Sequence, residues 1–180
     1  MSAARNQPRQ PKGVPTGGQW RATGRPEGRA LSTHDHRALG SVRKALHSDE
    51  ALGVLDSHPA TRGCDYGQGG CKVAALALSQ LLPGSQVRAI KLTGSDQPQH
   101  FVVRYEGVYL DRDGAQSERQ LLATAARDWL LAQDQLRVAQ VTPEEVERAE
   151  APDPLDAETG QRLSQRLAVL LAAKIADRGA

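Results

Sequence analysis

Residues 72–82 read KVAALALSQLL. Wound as a helix, Val73, Ala74, Ala75, Leu76, Ala77, Leu78, Leu81 and Leu82 leave almost no polar face, so the segment must be covered by protein on nearly every side. Pro83-Gly84 ends it. A chain of 180 residues is long enough for one domain with a tail. Only 3% of its residues are aromatic, so the cover must be built from Leu, Val and Ala. The glycines Gly69 and Gly70 and then Cys71 stand directly before this helix.

The flanking segments supply the cover. Residues 32–55 have helical apolar spacing (Leu39, Val42, Leu46, Leu55), weakened near the end by Gly53. Residues 58–70 carry Pro59, Gly63, Gly67, Gly69 and Gly70 and read as a loop. Residues 87–93 alternate as a strand, 94–99 turn, and 100–105 and 108–111 form two further strands around a tight Glu106-Gly107 turn. Ser117 and Gln120 make a capping box for a helix carrying Leu121, Leu122, Ala125, Trp129 and Leu130. Residues 136–141 form a last strand, and Thr142, Pro143 and Glu145 begin a short charged helix. Asp156 can cap a final amphipathic helix whose apolar set is Leu163, Leu167, Leu170, Leu171 and Ile175. That set fits packing on the core or binding of a partner. Strands and helices do not alternate as βαβ units, so the expected class is α+β, with the apolar helix packed on a small antiparallel sheet.

The chain divides by composition into a basic tail (1–30), an α+β domain (31–150) and the final helix (151–180). The tail holds six Lys or Arg against one acid, Glu27, a net of +5. The remaining 17 bases and 20 acids sum to −3, so a basic leader precedes a mildly acidic body. Rich in Pro, Gly, Gln and Arg, the tail cannot bury enough surface to offset its ordering entropy and is expected to be disordered. Its PKGVPTGGQW stretch, with Trp20 as an anchor, resembles short PxGTPxGGQF-type segments at the start of many actinobacterial and phage-associated proteins. Weak contact with nucleic acid or another macromolecule is one use for such a leader, although its bases are spread out and no nucleic-acid module follows. The N-terminus lacks an apolar signal stretch, and no run approaches a membrane span of about 18 to 20 residues. The expected home is cytoplasmic, with delivery by a specialised system as the exception.

Cys71 sits at or just before the first turn of the apolar helix. Unpaired backbone N–H groups and the helix dipole favour an anion there, which lowers a thiol pKa. Gly70 and Gly69 let the backbone turn and a substrate approach, and free N–H groups near Cys71 can hold an oxyanion. A thiol nucleophile needs a base. His100 opens the strand HFVVRY, where imidazole can accept the thiol proton and return it to a leaving group. A third group should orient the imidazole. In a hairpin turned at Glu106-Gly107, paired residues sum to about 213, which brings His100 near position 113. Asp111, closing the next strand, is the first choice for this role and Asp113 the reserve.

Other uses of these residues compete. Cys64 and Cys71 could form a disulfide in an oxidising compartment. A zinc site from His58, Cys64, Cys71 and His100 matches no structural-zinc spacing. His34 and His36 stand at a helix start and read as solvated. Arg104 and Arg112 could meet an acidic substrate but fit a solvated face. Cys71 itself could be a buried small hydrophobe.

Gly-Gly-Cys71 before a buried helix, His100 starting one strand and Asp111 ending the next resembles papain-like cysteine peptidases in the broad sense, including the transglutaminase-like and NlpC/P60-like branches. The resemblance spans residues 63–116. It implies a papain-like core and a Cys71-His100-Asp111 triad that cleaves or transfers an amide or related acyl bond of a protein or peptide-like substrate, without a cofactor or metal. It also implies a Gln before the nucleophile as oxyanion donor. Gln68 is the candidate, at a shorter spacing than the family's, and Lys72 stands where papain carries an aromatic. The alternative is a non-enzymatic binding or structural protein, associated with a phage or mobile element, that uses the basic tail and final helix as contact surfaces.

Overall fold

The structure is a computed structural model and describes residues 33–64, 69–149 and 155–176. The basic tail, Trp20 and Gln68 lie outside the described residues, as do the side chains of His34, His36 and Cys64. Six α-helices run through the described residues: α1 (Thr33–Leu46), α2 (Asp49–Leu55), α3 (Gly70–Leu81), α4 (Glu118–Asp128), α5 (Pro143–Arg148) and α6 (Ala157–Ala176). Five strands complete them: β1 (Gln86–Leu92), β2 (Pro98–Tyr105), β3 (Val108–Asp111), β4 (Gly114–Gln116) and β5 (Leu136–Gln140). The strands form one antiparallel sheet in the order β4-β3-β2-β1-β5. The fold is α+β.

Side chains alternate across this sheet because strand residues point to opposite faces in turn. Val87, Ala89, Phe101, Val103 and Leu110 join a core with α1, α2, α3 and α6. Ile90, Val102, Tyr109 and Leu136 join a second core with Leu121, Ala125 and Ala126 of α4. The sheet is therefore covered on both faces. Helix α3 lies between β2 on one side and α6 on the other, and eight of its residues are buried, from Gly70 to Leu78. The apolar helix is wrapped as its composition demands. The final helix packs on the core: Leu163, Leu167 and Leu171 are buried, and Leu170 and Ile175 pack partly buried against them.

Three local departures have physical causes. The expected single helix over 32–55 is broken after Leu46. The Ser48 side chain accepts from the Ala51 N–H at 3.3 Å and caps a new helix, although the apolar spacing continues on both sides. The expected loop after residue 58 begins with a 3-10 turn, Pro59–Cys64. It is anchored by buried Thr61, whose Oγ1 donates to the carbonyls of Leu55 and His58. The three-residue strand β4 was not expected; it folds back on β3 with Asp111 paired to Gly114. The Ser117-Gln120 and Thr142-Glu145 capping boxes form as read. Asp156 Oδ1 accepts from the Thr159 N–H at 2.8 Å at the start of α6.

Candidate active site

Helix α3 starts without a side-chain cap. Gly69 precedes it at φ 75°, a left-handed conformation that glycine adopts freely, and its carbonyl accepts from the N–H groups of Lys72 and Val73. Gly70 is buried in the first turn beside Cys71. The first turn carries no acidic side chain, so nothing there opposes the dipole's preference for an anion.

Cys71 is a free, buried cysteine. Its thiol feels the His100 imidazole and the backbone N–H groups of Phe101 and Lys72 as electrostatic neighbours. Burial pushes the thiol pKa up. The hydrogen bond and charge of His100, together with the two amides, outweigh burial and hold the thiol below its ordinary value.

His100 is buried on β2. It pairs with Ile90 at the point where the β1–β2 register slips, since Lys91 pairs with Pro98. Such a slip bends a strand and re-aims its side chains, which lets a strand between two covered faces present an imidazole to the end of α3. Nε2 of His100 lies 3.4 Å from Asp111 Oδ2. Burial pushes the imidazole pKa down, but the Asp111 hydrogen bond and the Cys71 partner raise it to about 9. Each partner thus shifts the other toward its charged form, the thiol downward and the imidazole upward.

Asp111 is buried at the end of β3. Its second oxygen, Oδ1, accepts from the Asp113 N–H at 2.8 Å and from Gln116 Nε2 at 3.2 Å. Asp113, the reserve third member, has an exposed side chain and serves Asp111 through its backbone. A cavity of about 10 Å³ adjoins the triad, lined by Cys71, Ala75, His100, Phe101, Asp111 and Arg112 among others. It has room for about one water.

Two features were missed in the sequence. The Phe101 amide reaches Cys71 because β2 passes the start of α3, a backbone direction that no side-chain pattern reports. Lys72 is buried, and its ammonium donates to the Glu147 carbonyl of α5 at 3.0 Å. Burial lowers its pKa, countered by the charges of Glu147 and Cys71. The residue that departs from papain's aromatic thus ties the first turn of α3 to α5. Of the other candidates, His58 Nδ1 accepts from the Ala60 N–H at 3.2 Å in the 3-10 turn. Among the described residues no group of three or more His, Cys, Asp or Glu side chains is placed to hold a metal ion, and no helix is long and apolar enough to cross a membrane.

No protein-family model, curated protein or solved structure matches the chain.

Proposed function

We propose that the chain is a cysteine-dependent hydrolase or acyltransferase of the papain-like kind in the broad sense, acting on an amide or related acyl bond of a protein or peptide-like substrate. The meeting of Cys71, His100 and Asp111 at the start of a buried helix carries this reading. The thiolate attacks the carbonyl carbon, and the backbone N–H of Cys71 faces the developing oxyanion. His100 gives its proton to the leaving group, which departs and leaves a thioester on Cys71. Water or an acceptor amine, deprotonated by His100, then attacks the thioester and restores the thiol-imidazole pair. Asp111 keeps the imidazole in orientation throughout. The competing non-enzymatic reading loses part of its contact surface, because the apolar face of α6 is buried on the core.

Alkylation tests the proposal. Iodoacetamide at mildly acidic pH should label Cys71 well above the rate of a free thiol such as glutathione, and an activated acyl ester should leave an acyl group on Cys71 in the intact mass. Labelling no faster than the free thiol, with no acyl adduct lost in Cys71→Ala, would sink the enzyme reading.

A further inference from the structure

Asp111 is held from more directions than a turn requires. The Asp113 N–H on Oδ1 is ordinary local turn chemistry, an aspartate carboxylate accepting from the amide two residues on. The contact from Gln116 Nε2 to the same oxygen is of another kind. Gln116 lies on β4, paired with Tyr109, and the chain must turn at Arg112-Asp113 and come back to bring it beside Asp111. Its other end is engaged as well: Thr124 Oγ1 on α4 donates to Gln116 Oε1 at 3.4 Å. A primary amide can donate at one atom and accept at the other. With Oε1 turned to the Thr124 hydroxyl, the NH₂ is the end left for the carboxylate. Gln116 does not line the cavity beside the triad, so it acts through Asp111.

We propose that Gln116 is a positioning residue of the Cys71 site: it holds the Asp111 carboxylate with Oδ2 toward His100, and Thr124 sets which end of the amide faces Asp111. This rests on the reading of Cys71 as the nucleophile. The consequence is electrostatic. A carboxylate free to rotate spends less time on His100, so the imidazolium is less stabilised and the thiolate loses part of its counter-charge. The support comes from α4, which packs on the opposite face of the sheet from α3, so the triad is braced from both sides.

The test is the pH dependence of iodoacetamide labelling at Cys71, read by intact mass on the full chain. Gln116→Met keeps the size and neutrality of the side chain but removes the donor. It should raise the half-maximal pH by about one unit, and so slow labelling roughly tenfold on the acid limb. Thr124→Val removes the donor to Oε1 and should shift the profile the same way by less; it carries the test alone if Gln116→Met lowers the melting transition. Asp111→Asn serves as reference. If Asp111→Asn shifts the profile while Gln116→Met and Thr124→Val overlay the unmodified chain, Gln116 is not a positioning residue. If Asp111→Asn shifts nothing, the triad itself fails and the role of Gln116 fails with it.

Discussion

Cys71 and His100 are each buried where a lone charge would be penalised, yet each is shifted toward its charged form. The reason is mutual: the thiolate is the imidazolium's counter-charge, and Asp111 and two backbone amides complete the set. This gives stability a defined pH dependence. With a folded pKa raised to about 9, His100 binds its proton more tightly in the folded than in the unfolded chain. Its contribution is therefore complete below the ordinary histidine value and fades as pH rises through about 9. Cys71 has the opposite sign: its lowered pKa contributes above the ordinary thiol value and is lost as pH falls through the folded one. Between the ordinary histidine value and about 9 the two slopes oppose each other, so urea midpoints of the unmodified chain should change little there. In Cys71→Ala, where Asp111 still faces the imidazole, they should fall as pH rises; a level Cys71→Ala curve would refute the raised imidazole pKa. Cys71 and Asp111 were legible because they stand at sequence landmarks, a helix start after glycines and a strand end; His100, expected to open its strand, lies inside β2, which begins at Pro98. Gln116 and the Phe101 amide stand at no such landmark. One depends on a three-residue strand with no alternation to reveal it, the other on backbone direction.

The elements that aim these residues are short, and their turns carry the constraint. In the β2–β3 hairpin Val103, Arg104 and Tyr105 pair with Leu110, Tyr109 and Val108, the register that counting around Glu106-Gly107 predicts. Glu106 and Gly107 have φ 48° and 85°, as the mirror-image turns of hairpins require. That counting places His100 opposite position 113. In the structure β3 stops at Asp111 and turns back, so the carboxylate that meets His100 is Asp111. Gly114 closes this turn at φ 103°, and a Cβ there would come within 3.1 Å of the Arg43 side chain on α1. Gly114→Ala should cost roughly 1–3 kcal/mol for the strained backbone. Because Gly114 pairs with Asp111, it should also slow Cys71 labelling. Thermal melts and labelling rates check both, and a variant that melts normally would refute the strain. At a helix start the expectation is simpler: Ser117→Ala removes the cap of α4 and should cost about 1 kcal/mol, read from urea unfolding.

At the scale of the molecule, one decision in the sequence settles the rest: an all-apolar helix must lie in the middle. Its wrapping by a sheet and by other helices was legible from composition and periodicity. Which helices would do the wrapping was not, because amphipathic spacing marks an apolar face without saying what covers it. Helix α6 resolves this by lying on α3, α1 and α2. Leu167 is fully buried there, whereas Val169 on the opposite side is 73% exposed. Leu167→Ala should cost about 2–5 kcal/mol, whereas Val169→Ala should stay within about 0.5 kcal/mol. Equal losses in urea unfolding would contradict the placement of α6.

That placement has a consequence in time. The ribosome releases α3 long before α6, and contacts between segments so far apart form late. Until α6 emerges, the helix that carries Cys71 lacks the cover its composition requires, and the amides and imidazole that hold the thiolate have no fixed helix end to face. On the proposed function, the reactivity of Cys71 should therefore depend on the docking of α6 against α3.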